Sequence, residues 1–131
     1  MSEATVVGVY ELGVENVRLC LSEGYGSASA IFAPNDNGCM IIDLACIHGS
    51  WEVVVGGLMH EAMETLLHRR GLAYRKTNTG HEETGMYFFM LSHADFSQCC
   101  EYATMFLLDC EKDLKKAWQL AQTTPGSKKR S

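Results

Sequence analysis

Several familiar signatures are missing from this chain of 131 residues. Its six cysteines form no CxxC pair, which removes the usual framework of a zinc ribbon or finger. Neither GxGxxG nor a P-loop occurs, so no nucleotide fingerprint is present. No apolar run reaches the roughly 18 residues of a membrane span. MSEATVVG lacks a basic stretch followed by an apolar one, so no signal peptide is expected, and a cytoplasmic location is the default. Basic residues are also scarce. Eleven Lys and Arg stand against 16 Asp and Glu, giving a net charge of −5. The one basic cluster, Lys128, Lys129 and Arg130, falls in the tail. An acidic body of this kind argues against binding a phosphate backbone and suits docking on a basic surface of another protein.

What is present describes a globular domain, with 47% hydrophobic and 21% charged residues. The cysteines read mainly as small buried hydrophobes. TVVGVYEL (Thr5–Leu12) and VRLCLS (Val17–Ser22) have the β-branched and apolar content of strands. EGYGS is a turn, Ser29–Phe32 a returning strand, and APNDNG a second turn. CMIIDLAC (Cys39–Cys46) is the clearest strand of all. After His48 the hydrophobic period changes from two to 3.6. Ser50 is placed to cap a helix running to about residue 70, with Gly71 as its terminator. Leu72–Glu83 reads as a polar loop and MYFFML (Met86–Leu91) as a strand. Ser92 and Asp95 form a capping pattern that opens a long helix. The expectation is an α+β fold over 1–122. A mostly antiparallel sheet of four to five strands packs against two helices, about 51–70 and 93–122, and 123–131 form a disordered basic tail.

The chemistry concentrates in LMHEAMETLLHRRG, Leu58–Gly71. At about 100° per residue, His60, Glu61, Glu64 and His68 share one arc, opposite Val55, Met59, Ala62, Met63, Leu66 and Leu67. His60 and His68 are about 12 Å apart along the axis and cannot share one metal. His60 and Glu64, one turn apart, can. Glu61 would then be the general base acting on metal-bound water. A catalytic zinc needs a third protein ligand. His93, at a helix N-terminus that keeps its imidazole neutral, is the preferred choice. His81, Glu82 and Glu83 come second, and Glu101 points away from the apolar stripe of its helix (Phe96, Cys99, Ala103, Phe106, Cys110, Leu114, Ala117). The same residues also fit a plain solvated face on which Glu64 and His68 form a weak pair. Gly56 and Gly57 either let a ligand approach that face closely or belong to a loop before a helix that starts near Leu58. A nucleophile built from Cys99 or Cys100 and a histidine is disfavoured, because both cysteines lie beside core positions.

The stretch IIDLACIHGSWEVVVGGLMHEAMETLLHRRG resembles the core of a small zincin-like metallopeptidase, in which an edge strand leads into an HExxH helix. MYFFMLSHADFSQCC is similar to segments of small bacteriophage and prophage proteins. The resemblance spans about Ile41–Trp118. It implies zinc as cofactor, His60 as first ligand, Glu61 as general base and a metal-dependent hydrolase or an inactive relic of one. Glu64 stands where the family has histidine, and carboxylate is the harder ligand. The alternative is a non-enzymatic, phage-type protein that inhibits a host or defence protein by binding it through an acidic surface.

Overall fold

The computed structural model describes residues 5–24, 27–32, 39–69, 73–75, 87–89 and 91–123. The elements follow in the order β1 (Thr5–Leu12), β2 (Glu15–Ser22), β3 (Ser27–Phe32), β4 (Met40–Ala45), α1 (Trp51–Arg69), β5 (Ala73–Arg75), β6 (Tyr87–Phe89) and α2 (His93–Thr123). The fold is α+β. The expected basic tail lies outside the described residues beyond Thr123, as does most of the expected polar loop, although Ala73–Arg75 within that loop is a strand.

The sheet corrects the expected antiparallel arrangement. Its strand order is β1-β2-β4-β3. β1 pairs with β2 and β3 with β4 antiparallel, but the central pair, β2 and β4, is parallel, from Val17 opposite Met40 to Ser22 opposite Ala45. The segment expected as a further sheet strand, Met86–Leu91, contributes Tyr87–Phe89 to a separate two-stranded pair with β5. The parallel pair arises because the turn after β2 is not a hairpin turn between neighbours. The chain steps over one strand position to lay down β3, then returns so that β4 fills the gap. The step is tight. Gly24 has φ 149, and a Cβ there would lie 2.1 Å from the Ala45 carbonyl oxygen, a position open to glycine alone. Beyond the strands, Ile47 N donates to Ser22 O at 3.1 Å and His48 N to Gly24 O at 2.9 Å, which prolongs the parallel contact.

Alternation along β2 and β4 sends Val17, Leu19, Leu21, Met40, Ile42 and Leu44 to one face, where all are buried. Both helices pack against that face. α1 contributes Val54, Leu58, Ala62 and Leu66, and α2 contributes Cys99, Ala103, Phe106, Cys110 and Leu114. Each large apolar side chain buried in this way contributes about 1.5–3 kcal/mol relative to exposure. On the opposite side of β4, half-buried Asp43 accepts a hydrogen bond from Ser22 Oγ at 2.9 Å.

The helices begin where their caps place them. Ser50 Oγ accepts from Val53 N at 3.2 Å, so α1 starts at Trp51 and Gly56 and Gly57 lie inside it. Ser92 Oγ accepts from Asp95 N at 3.1 Å, while Asp95 Oδ2 accepts from Ser92 N at 3.4 Å. α2 is tied to the sheet through Tyr10, whose hydroxyl donates to Asp113 Oδ2 at 2.8 Å and whose ring stands edge-on to Phe106. Its far end holds the β4–α1 connection. Trp118 Nε1 donates to Gly49 O at 3.0 Å, Gln122 Nε2 donates to Ile47 O at 2.8 Å, and the Trp118 ring lies 5.6 Å from that of Trp51. α1 is therefore fixed at its N-terminal end, which sets the rotation of its residues against the sheet.

Candidate metal centre

That rotation differs from the one expected. The buried positions of α1 are Val54, Leu58, Glu61, Ala62, Thr65, Leu66 and Leu67. Their 4-3-4 spacing is a regular helical stripe, and Glu61 and Thr65 lie within it. Glu61 is therefore not on the wet face, and Val55, Met59 and Met63, expected as core, are only half-buried. The physical reason is that α1 packs on two neighbours, the β3–β4 side of the sheet and α2. The arc it must cover is wider than one apolar stripe, and it takes in polar positions.

Three of the sequence candidates converge. His60 Nε2 lies 3.8 Å from Glu61 Oε2 and 3.9 Å from Glu64 Oε2. One ligand atom from each residue falls within 4.8 Å of the other two. Two ligands bound at ~2.1 Å to a tetrahedral ion lie about 3.4 Å apart. Separations of 3.8 and 3.9 Å are about half an ångström longer than that spacing, and the third is within 4.8 Å. The set is graded in exposure. The His60 side chain is 66% exposed, Glu64 32% and Glu61 6%. Met59, Met63 and Leu67 join His60 and Glu64 around a shallow groove of about 380 Å³.

Glu61 is the unusual member. Burial raises its carboxyl above the ordinary value of 4.5, the Glu64 carboxylate adds to the rise, and His60 partly opposes it. No hydrogen bond to its carboxyl occurs among the described residues. No polar side-chain atom among them is both sealed from solvent and unpaired. The Glu61 carboxyl therefore keeps an opening, while nearly all of its side chain is inside. Drawing a carboxylate largely out of water carries a cost for its charged form. A cation held between Glu61, His60 and Glu64 would offset that cost.

His93 does not join the cluster. It is exposed in the first turn of α2 and lines a different, open groove with Phe96, Cys100, Glu101, Thr104 and Met105. His68 and Glu101 are exposed and likewise outside the cluster. His81, Glu82 and Glu83 lie outside the described residues. All six cysteines are free thiols, and four of them, Cys20, Cys46, Cys99 and Cys110, are buried. Burial pushes the Cys110 thiol up to about 12, which keeps it protonated and unreactive. The apolar stripe of α2 is as expected from Cys99 to Leu114, but Phe96 is 50% exposed.

Two features of α1 had no place in the sequence reading. Arg69 forms an ion pair with Glu15, with Nε donating to Oε2 at 2.6 Å, and so ties the end of α1 to the start of β2. Thr65 is buried one turn beyond Glu61. The ion pair joins residues 54 apart and leaves no local signal, whereas the burial of Thr65 follows from the 54-58-61-65 spacing. Comparison with protein-family models, with curated proteins and with solved structures gives no match. Among the described residues, no helix is long and apolar enough to cross a membrane.

Proposed function

We propose that the chain binds one divalent metal ion through His60, Glu61 and Glu64. The observation that supports this reading is the convergence of the three ligand atoms, one of them from Glu61, whose side chain is mostly buried and has no hydrogen-bond partner among the described residues. Zinc is the first candidate by resemblance. A donor set of one imidazole and two carboxylates is harder than that of a peptidase zinc site and shifts the preference toward ions such as Mn²⁺. With His93 away from the cluster, Glu61 serves better as third ligand than as general base. This favours a metal-binding domain descended from, or parallel to, a hydrolase over a working peptidase. Titration of chelator-treated protein with Zn²⁺ and Mn²⁺ should give about one ion per chain. Binding should weaken at least tenfold in His60→Ala, Glu61→Gln and Glu64→Ala and stay unchanged in His93→Ala. No saturable binding of either ion removes the reading. Equal binding in Glu61→Gln together with hydrolysis that is lost returns Glu61 to the role of base.

A second reading has one observation in its favour. Met105 and Leu108, 59% and 67% exposed, lie on the outer face of α2 beside exposed Glu101 and Asp109. Apolar residues with acids beside them suit docking on a basic surface of another protein. Met105→Ser with Leu108→Ser would abolish such docking and leave metal binding intact.

A further inference from the structure

A second cavity opens on the other flank of α1. The tip of the β1–β2 hairpin, Gly13 and Val14, lies beside the last turns of α1 and Tyr102 in the first third of α2. The cleft between them measures about 250 Å³. Its apolar walls are Leu12, Leu66 and the ring of Tyr102, its floor includes Thr65, and Glu15 and Arg69 stand at its edge. Gly13 shapes the opening. Its φ of 64 suits the first position of a two-residue hairpin connection. A Cβ there would come within 3.2 Å of Leu66 and 3.6 Å of Tyr102, narrowing the cleft.

The polar groups of the cleft are unequal. Glu15 and Arg69 are joined to each other, so the edge is electrically neutral, and an incoming anion would have to displace Glu15. Thr65 is 4% exposed, and its hydroxyl has no hydrogen-bond partner among the described residues. Because no polar atom among them is both sealed and unpaired, the Thr65 oxygen must keep an opening, and the cleft it lines supplies one. The neighbouring case of Thr104 shows the usual alternative, since its hydroxyl donates to the Cys100 carbonyl at 2.7 Å. Size limits the occupant. The volume exceeds the ~150 Å³ that admits benzene. It falls short of the ~300–1,000 Å³ of pockets for drug-sized ligands.

We propose that this cleft binds a small uncharged molecule, one ring in size, that lies against Leu12, Leu66 and Tyr102 and hydrogen-bonds through a single polar group to the Thr65 hydroxyl. The assignment is independent of the metal reading. Phenol, toluene and benzoate serve as probes, followed through the amide resonances of the full-length protein. Phenol should give saturable shifts at Gly13, Thr65, Leu66 and Tyr102, with an affinity about fivefold above that of toluene, the worth of one hydrogen bond. Benzoate should bind more weakly than toluene. Thr65→Val should bring phenol down to the level of toluene while toluene binding is unchanged, which also reports an intact cleft. Thr65→Ser, which keeps the hydroxyl, should keep the preference for phenol. The proposal is overturned if phenol gives no saturable shift at these residues, if benzoate binds as well as phenol, or if the preference survives in Thr65→Val or disappears in Thr65→Ser.

Discussion

The two helices cover the same face of the sheet, yet they solve the task differently. In α2 the buried stripe is Cys99, Ala103, Phe106, Cys110 and Leu114, apolar throughout. In α1 the corresponding stripe is broken at Glu61 and Thr65. A polar residue in a buried stripe costs stability unless it is paired. Each interruption in α1 coincides with a feature that α2 lacks within its stripe: Glu61 with the His60–Glu64 cluster, Thr65 with the cleft under the hairpin. The long helix buries a purely apolar stripe, and the shorter one carries two polar residues within its stripe.

Mutations can break this contrast, and the largest effect belongs to α2. Phe106→Ala removes a fully buried ring that also meets Tyr10, and should cost about 3–5 kcal/mol in urea unfolding. Glu61→Met should act in the opposite direction. In the metal-free protein at neutral pH it should raise stability by about 1 kcal/mol, since an apolar replacement of similar volume removes a largely desolvated carboxylate that His60 only partly offsets.

The pH profile sharpens this second test. Glu61 holds its proton to higher pH in the folded chain than its ordinary value of 4.5. The folded state therefore binds more protons, and the group's contribution is full below about 4.5 and falls as pH rises through the folded value. Stability of the metal-free wild type should decline over that window relative to Glu61→Met, as read by denaturant midpoints at successive pH values. An identical pH profile in the two proteins would show that Glu61 is not held in a strained state.

Smaller effects test the periphery. Arg69→Ala should cost about 0.5–1 kcal/mol, because the pair with Glu15 is half open to water on the arginine side. Gly56→Ala should add about 0.5–1 kcal/mol, since the glycine sits inside α1 and a Cβ there meets nothing within 4 Å. No neighbour among the described residues leans on Gly56, and the helix begins at Trp51 rather than near Leu58.

Much of this was legible from the residues. Ser50 and Ser92 marked both helix starts, and the spacing from Cys99 to Leu114 marked the face of α2, because caps and single-partner stripes are local properties. The direction of β4 relative to β2 was not legible. EGYGS reads as a hairpin turn whether or not another strand later fills the gap, and the insertion depends on the Gly24–Ala45 approach between distant residues. At the site, the proximity of His60 and Glu64 followed from one helical turn, and Glu61, expected as general base, lies beside them. Its burial was missed because α1 covers both the β3–β4 side of the sheet and α2, a requirement that its own residues do not reveal. His93 was chosen for its chemistry at a helix N-terminus, and chemistry alone says nothing of distance.

The central claim is that Glu61 destabilises the empty protein and becomes favourable when a cation sits against it. Thermal unfolding of chelator-treated wild type and Glu61→Met, each with and without Zn²⁺, tests this most directly. Without metal the variant should melt higher than the wild type. With saturating Zn²⁺ the wild type should rise and the variant should not move. A wild type that melts higher than the variant without metal, or a variant that gains as much from Zn²⁺ as the wild type does, would contradict the account.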